Sequence, residues 1–217
     1  MNKMKACLLL MMVMLVFFTG GCNRKGEITD ERDGQTYQTV TLGDQTWLAQ
    51  DLNYETDNNS WCYQDKSENC DNYGRLYTWE EALTACPAGW HLPSDEEWAT
   101  LIKYLDPKAD SNAVGVESEI AGSMMKTRGT LEKGTGLWLD SDTPGTNSSG
   151  MSVVPGGARW PDGAYLILNM HAIYWTSTEY DADTVWFRIF DYGLKALYRD
   201  HSGVTKDMGV SVRCVMD

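Results

Sequence analysis

The pattern of apolar and polar residues is clearest in "TWEEALTACPAGWHLPSDEEW", residues 78–98, and in the residues that follow. Apolar residues recur there at i, i+3, i+4 and i+7, which places them on one face of an α-helix. They form two groups: Trp79, Ala82, Leu83 and Cys86, then Trp98, Leu101, Ile102 and Leu105. Pro87 cannot continue a helix, because it lacks the N–H group and clashes with the preceding turn. The pattern therefore predicts two short helices, with Cys86 on the buried face of the first.

A capping box precedes each predicted helix. Thr78 stands three residues before Glu81, and Ser94 stands three residues before Glu97. In this motif the hydroxyl and the carboxylate each accept a hydrogen bond from a backbone N–H group that the helix leaves unpaired. We therefore expect the helices to begin directly after Thr78 and Ser94.

Most of the remaining pattern is typical of β-strands. Residues 36–52 contain two β-rich runs around a Gly-Asp turn, which predicts a hairpin, and six further candidate strands follow residue 150. Val210, Val212 and Cys214 alternate along the last of them, so Cys214 points inward. Residues 107–150 are rich in Gly, Ser, Thr and Asp without strong periodicity, which is typical of functional or mobile loops. The predicted fold class is α+β.

The N-terminus has the pattern of a bacterial lipoprotein signal. Lys3 and Lys5 precede an apolar run, residues 8–18, that is too short to span a bilayer as a mature helix. Small residues then lead to Cys22. The alternative is an ordinary secretory leader followed by a coincidental cysteine.

This signal sets the expected domain organisation. Residues 1–21 form the signal peptide, and Cys22 carries lipid that tethers the mature chain to a membrane. Residues 22–33 form a flexible tether, and residues 34–217 form one domain. We expect an extracytoplasmic location in the cell envelope, at the outer membrane.

The composition is acidic and aromatic. Removal of Lys3 and Lys5 leaves 16 of the 18 basic residues against 31 acidic ones, a net charge near −15. Such a charge argues against nucleic acid and anionic lipid as partners. Nine Trp and eleven Tyr are many for this length. An extracytoplasmic domain often displays some of these rings to sugars, although packing in the core explains them equally well.

Four cysteines remain in the predicted mature domain: Cys62, Cys70, Cys86 and Cys214. In an oxidising compartment an even number predicts two disulfides, and four cysteines allow three pairings. Cys62 and Cys70 flank a polar loop whose ends can meet, which leaves the inward-facing Cys214 for Cys86. A zinc site is the rival interpretation, but no C-x2-C pair or histidine cluster supports it. We expect no metal and no cofactor.

Several longer segments resemble one known family. They are "DGQTYQTVTLGDQTWLAQDLNY", "NCDNYGRLYTWEEALTACPAGWHLPSDEEW", "VVPGGARWPDG", "YWTSTEYDADTVWFRIF" and "GVSVRCVMD". In this order they resemble the Fibrobacter succinogenes major paralogous domain, over residues 33–217. That family occurs in lipoproteins and secreted proteins, and its function is largely unassigned.

The resemblance implies a C-type-lectin-like fold, in which two short helices pack on twisted antiparallel strands with long loops. It also implies the Cys86–Cys214 bridge, between a helix and the final strand. Calcium-dependent sugar binding is not carried over, because the Glu-Pro-Asn, Gln-Pro-Asp and Trp-Asn-Asp ligand motifs are missing. Formylglycine-generating activity, found in similar folds, needs a redox-active cysteine pair, and the four mature cysteines here have structural positions.

Motifs for catalysis are weak. His91, His171 and His201 are isolated, and no G-x-S-x-G, H-E-x-x-H or P-loop sequence occurs. Carboxylate pairs are too plentiful in so acidic a chain to identify a glycosidase dyad. We therefore expect no catalytic residue and no enzymatic activity.

Two tryptophans in loops are the candidates for ligand binding, Trp138 and Trp160. A lectin-like layout places these loops at one end of the domain, where the rings could stack on sugars. Polar residues near them could bind hydroxyl groups: Asp140, Asp142, Arg159 and Asp162. The alternative is that both rings fill a small core of the loop region. We expect the other assigned tryptophans in the main core: Trp79, Trp90, Trp98, Trp175 and Trp186.

These observations predict a non-enzymatic, surface-anchored lipoprotein that binds or adheres to a glycan or another cell-surface ligand. We expect a monomeric domain that contacts the membrane through its N-terminal lipid and has no nucleic-acid partner. The alternatives are an envelope hydrolase or modifying enzyme with a dispersed site, and a purely structural envelope protein.

Overall fold

The computed structural model describes residues 24–217, in which short strands and helices alternate. The strands are β1 Arg24–Thr29, β2 Thr36–Leu42, β3 Gln45–Leu48, β4 Ser60–Trp61, β5 Leu76–Tyr77, β6 Trp90–His91, β7 Gly115–Ser118, β8 Ala158–Arg159, β9 Tyr165–Leu166, β10 His171–Glu179, β11 Val185–Asp191, β12 Leu197–Asp200, β13 Val210–Ser211 and β14 Val215–Met216. The helices are α1 Ser67–Tyr73, α2 Trp79–Ala85, α3 Asp95–Leu105 and α4 Ala121–Met125, with a 3-10 turn over Tyr63–Asp65. The predicted α+β class is confirmed.

The strands form two larger sheets and one small hairpin. The seven-stranded sheet has the order β4-β5-β13-β10-β11-β12-β7, and the five-stranded sheet has the order β1-β2-β3-β14-β6. β8 and β9 form the small hairpin. The pairings are antiparallel except that of β10 with β13. Because β13 and β14 belong to different sheets, the last few residues connect the two sheets directly.

Strand β1 corrects the prediction of a flexible tether over residues 22–33. Residues 24–29 pair with β2 in antiparallel register, and Ile28 lies opposite Tyr37. Tyr37 is buried, and Ile28 packs against the same hydrophobic cluster. β1 supplies hydrogen-bond partners for backbone groups that an exposed β2 edge would leave open. The predicted signal peptide and the lipidation site at Cys22 lie outside the described residues.

The two predicted helices are present as α2 and α3. The apolar face of α3 is fully buried at Trp98, Leu101 and Ile102. In α2 the apolar stripe is shorter than predicted, since Leu83 is 40% exposed and Cys86 lies just past the helix end. Within residues 24–217, no helix has the length and apolar character needed to cross a bilayer.

Both predicted disulfides are present, Cys62–Cys70 and Cys86–Cys214, across sequence separations of 8 and 128 residues. Cys214 is fully buried, as the strand alternation predicts. The segment between Cys62 and Cys70 is not a polar loop, however. It consists of the 3-10 turn and the first residues of α1.

Two ionic networks lie inside the fold, at positions that the apolar pattern does not mark. Arg213 is fully buried and pairs with Asp51, whose carboxylate also accepts a hydrogen bond of 2.8 Å from the Tyr174 hydroxyl. Arg188 and Arg199 each pair with the Asp95 carboxylate at 2.7 Å. Asp95 begins α3, so this second network attaches the helix to β11 and β12.

Candidate functional site

The candidate site starts at the β8–β9 hairpin, which carries three of the six ligand-binding candidates. Arg159 lies opposite Tyr165 in the hairpin, and its backbone N–H and C=O each form a hydrogen bond of 2.8 Å with Gly209. The turn contains Gly163, whose φ of +92° is a conformation that favours glycine. The backbone of Arg159 is therefore held on both sides, by β9 and by the segment before β13.

The Arg159 side chain stacks on aromatic rings instead of pairing with a carboxylate. Its guanidinium carbon lies 4.1 Å from the centre of the Trp61 ring and 5.8 Å from that of Tyr165. Its Nη1 donates a long hydrogen bond, 3.5 Å, to the Trp160 carbonyl oxygen, and its buried Nε has no partner among the described residues. Across residues 25–217 no carboxylate lies within ion-pair distance of Arg159.

Tyr165 supports Arg159 as a neutral phenol. Its hydroxyl donates a hydrogen bond of 2.6 Å to Asp65, and its ring packs against Tyr63 with ring centres 5.1 Å apart. Burial and the Asp65 carboxylate raise the pKa of Tyr165 to about 12, although Arg159 acts in the opposite direction. The hydroxyl therefore stays protonated throughout the physiological pH range.

A second cation, Lys206, approaches from the loop before β13. Its ammonium nitrogen lies 4.6 Å from the centre of the Trp79 ring. It donates hydrogen bonds of 2.6 Å to the Glu179 carboxylate and 2.9 Å to the Ala182 carbonyl oxygen. The backbone adds a further link, because the Trp79 N–H donates to the Lys206 carbonyl oxygen at 2.9 Å. Lys206 is thus fixed between α2 and the β10–β11 turn.

These side chains border a surface depression that we call the Trp61 groove, with a volume of about 480 Å³. Its lining combines an aromatic ring, two cations, two carboxylates and two uncharged polar side chains. The lining residues are Asn59, Trp61, Thr78, Glu80, Arg159, Pro161, Lys206 and Asp207. They come from β4, the start of α2, the β8–β9 hairpin and the loop before β13.

Thr78 lines the groove from the N-cap position of α2. The predicted capping box at Thr78 and Glu81 is wrong, since the Thr78 side chain makes no capping hydrogen bond. The Thr78 N–H instead donates to the Asn59 carbonyl oxygen at 3.2 Å, which brings both residues to the same side of the groove. The other predicted capping box, at Ser94 and Glu97, is confirmed.

The groove offers the contacts of a polar binding site. Trp61 is half-buried, and its ring supplies a rigid apolar surface. Asn59 and Glu80 are exposed, so their amide and carboxylate groups are available to a ligand's hydroxyl groups. Asp207 is exposed too, and its carboxylate already accepts a hydrogen bond of 2.5 Å from the Thr205 hydroxyl, which leaves its other oxygen for a ligand. The residues that line the groove include no histidine, cysteine or serine.

Three predicted binding residues lie in or beside the groove. Arg159 lines it, while Trp160 and Asp162 belong to the same hairpin turn. Trp160 is half-buried and packs against a core cluster. The exposed Asp162 accepts a hydrogen bond of 2.9 Å from the Ala164 N–H, so its carboxylate shapes the turn.

The other three predicted residues lie elsewhere, and the ring-stacking role of Trp138 is wrong. Trp138 is 3% exposed, and its indole N–H donates to the Thr127 hydroxyl at 3.0 Å. It belongs to a hydrophobic cluster, as the core alternative predicts. Asp140 and Asp142 are exposed, and neither lines the groove. The Asp140 carboxylate pairs with Lys133 at 3.0 Å, which lowers its pKa below the ordinary value.

Most of the groove was not identified from the sequence. Trp61 was not assigned to core or surface, and Lys206 stands in a short polar turn with no recognisable motif. The one local signal was the position of Trp61 beside Cys62, since a disulfide fixes the neighbouring backbone. Among the tryptophans expected in the core, Trp90 and Trp186 are only half-buried. Within the described part of the chain, no group of three or more acidic, histidine or cysteine side chains could hold a metal ion.

Comparison with models of protein families identifies a family for this chain. The family model described as the Fibrobacter succinogenes major domain matches residues 27–216, which includes every residue of the groove. Searches of curated proteins and of solved structures each find no significant match.

Proposed function

This chain belongs to the Fibrobacter succinogenes major domain family. We propose that it is a non-enzymatic binding or adhesion module and that it recognises glycans through the Trp61 groove. The observation that carries the proposal is the composition of the groove. A half-exposed indole lies there beside exposed carboxylate and amide groups. Sugars present both an apolar ring face and a set of hydroxyl groups, and these two kinds of contact match them.

The contacts expected with a sugar follow from the geometry. One sugar face packs on the exposed part of the Trp61 ring, where an aromatic group gives a large contact area at low entropic cost. Hydroxyl groups of the same sugar donate to Glu80 and Asp207 and accept from the Asn59 amide. The volume of about 480 Å³ is in the range of small-molecule sites, so we expect one or two sugar units to be held.

The location proposed for this module is the outside of the cytoplasmic membrane, with lipid on Cys22 as its anchor. The two disulfides support an oxidising compartment, because such bonds rarely persist in the cytosol. The lipoprotein signal in residues 1–22 supports the anchor. A tethered domain with a polar groove is suited to hold ligands close to the cell surface.

We also propose that the domain is a variant of the C-type-lectin-like fold. The Cys86–Cys214 bridge supports this relationship, since it connects the end of a short helix to the last strands. The long segment between β7 and β8 supports it too, because it contains one short helix and many loops before the final strands.

A glycan array probed with the full chain, purified in detergent, tests the function. We expect binding to a defined subset of glycans, and we expect Trp61→Ala to abolish it. Tyr104→Ala is the matched control, because Tyr104 is a 42% exposed aromatic residue on α3 that does not line the groove. No binding to any glycan, or equal loss in both variants, would contradict the proposal.

A further inference from the structure

Arg159 differs from the other buried or half-buried arginines because it has no carboxylate partner among residues 25–217. The other buried or half-buried arginines of residues 25–217 each pair with a carboxylate; they are Arg75, Arg188, Arg199 and Arg213. Acidic residues outnumber basic ones by 31 to 18, so carboxylates are plentiful. Arg159 nevertheless has no ion pair with a described residue, although it is partly removed from water.

The guanidinium of Arg159 is also held in one place. Its backbone is bonded to Gly209 on one side and paired with Tyr165 on the other. Its guanidinium carbon lies 4.1 Å from the centre of the Trp61 ring, and this contact limits rotation of the long side chain. A cation fixed in this way loses little conformational entropy when it binds an anion, so its hydrogen bonds contribute more to affinity.

We propose that the glycan bound by the Trp61 groove is acidic, and that its carboxylate or sulfate group binds to the Arg159 guanidinium. This inference rests on the proposed function of the groove. Carboxylate and sulfate oxygens match the paired N–H donors of a guanidinium. The anionic group thereby becomes the missing ion-pair partner of Arg159, while the neighbouring hydroxyl groups of the sugar reach Glu80 and Asp207.

The remaining charges of the groove favour one orientation of such a ligand. Lys206 already pairs with Glu179, so its charge is largely neutralised. Glu80 and Asp207 repel an anionic group from their own positions but accept hydrogen bonds from hydroxyl groups. The anionic group is therefore directed to Arg159. Because the whole chain carries a net charge of −13, non-specific attraction cannot account for a preference for acidic glycans.

The test is a glycan array on which each uronic-acid, sialic-acid or sulfated glycan is printed beside its neutral counterpart. Full-length protein in detergent is used, and the best acidic and neutral pairs are then measured by calorimetry. We expect the acidic member of a pair to bind at least about tenfold tighter, the range for a charged hydrogen-bonded contact. The carboxylated and sulfated pairs distinguish the two kinds of anion.

Variants of Arg159 connect this preference to one side chain. Arg159→Gln should remove the preference, so that the acidic and the neutral member of a pair bind with the same affinity. Arg159→Lys should keep only part of the wild-type preference for the acidic glycan, because an ammonium lacks the paired donors of a guanidinium. Arg128→Gln is the matched control, since Arg128 is exposed, has no carboxylate partner among residues 25–217 and does not line the groove. Thermal unfolding of each variant verifies that it is folded.

The outcomes separate this inference from the proposed function. Equal binding of neutral and acidic glycans overturns the inference but leaves glycan recognition in place. A preference that persists in a folded Arg159→Gln variant, or that is lost equally in Arg128→Gln, also overturns it. No binding to any glycan overturns both.

Discussion

Trp138 and Trp160 both stand in loops, but their surroundings differ. Trp138 is enclosed by a hydrophobic cluster that includes Met125 and Met151, and its indole N–H bonds to Thr127. The Lys126 ammonium lies 5.2 Å from its ring centre. Trp160 is half-buried at a hairpin turn. The two rings should therefore contribute very differently to stability.

Replacement of Trp138 tests this difference. Trp138→Ala should lower the free energy of unfolding by about 3–5 kcal/mol, because removal of a buried indole leaves a cavity and removes the hydrogen bond that its N–H donates to the Thr127 hydroxyl. Trp160→Ala should cost clearly less. Urea unfolding followed by circular dichroism measures both values. Equal losses in the two variants would mean that Trp138 is not the more deeply packed ring.

The N-terminus of α3 shows how several residues act together as one element. The Ser94 hydroxyl accepts a hydrogen bond of 3.1 Å from the Glu97 N–H, and the Glu97 carboxylate accepts one of 2.7 Å from the Ser94 N–H. At α2 the equivalent Thr78 makes no such bond. Ser94→Ala should therefore cost about 1 kcal/mol of unfolding free energy, and Thr78→Ala less. Chemical unfolding of both variants decides the order, and a larger loss for Thr78→Ala would contradict it.

The same Glu97 carboxylate also binds His91 on β6. The His91 Nε2 lies 2.8 Å from Glu97, and its Nδ1 lies 2.6 Å from Asp217. Burial lowers the pKa of His91, but the hydrogen bonds to both carboxylates outweigh it and raise this pKa above 6.5. Burial raises the pKa of Glu97, but hydrogen bonds from Ser94 and His91 outweigh it and lower this pKa below 4.5.

These two shifts give the contact a defined pH dependence. Charged His91 stabilises the fold fully below pH 6.5, and this contribution disappears as the pH rises through the folded-state pKa. Ionised Glu97 stabilises it above pH 4.5, and this contribution disappears as the pH falls through its folded-state pKa. The stability difference between wild type and His91→Gln should therefore be largest between these two pH values and smaller at pH about 9. A pH-independent difference for His91→Gln would refute the ionic contact.

Elements with strong local patterns could be predicted from the sequence. The i, i+3, i+4 spacing of Trp98, Leu101 and Ile102 locates α3 because each apolar side chain reaches the core from one face. Strand β1 could not be predicted, since "RKGEIT" is polar and its pairing with β2 depends on a tertiary contact. The Trp61 groove was missed for the same reason. Its residues are separated by up to about 150 positions in sequence, and only folding brings Trp61 next to Arg159.

The proposed attachment of the whole molecule to a membrane is through lipid on Cys22, which lies outside the described residues. Cys22→Ala should prevent lipidation and release the protein from the membrane fraction, because the proposed anchor is the lipid on this cysteine. Mass spectrometry of the mature N-terminus and detergent partitioning measure the two effects. Unchanged partitioning of the variant would show that another contact retains the protein at the membrane.

The two disulfides constrain the whole molecule to different extents. Cys62–Cys70 closes 8 residues, whereas Cys86–Cys214 closes 128 residues and joins the end of α2 to the segment between the two sheets. In the chain-entropy model these bonds contribute roughly 2.5 and 5 kcal/mol, because a longer closed loop restricts the unfolded chain more. Cys214 is also fully buried. Its replacement breaks the disulfide and leaves a free thiol on Cys86.

Cys214→Ser should therefore lower the melting temperature more than Cys70→Ser. Serine in the buried position of Cys214 adds a polar group without an assigned partner, which increases the loss. Cys214→Ala separates the two effects, and it should still be less stable than Cys70→Ala. Differential scanning calorimetry of the four variants, with non-reducing peptide mapping of the wild type, gives the comparison. A crossed bond such as Cys62–Cys214 would contradict the pairing of α2 with the last strands. A larger loss in the Cys70 variants would show that this long connection contributes less to stability than the short loop does.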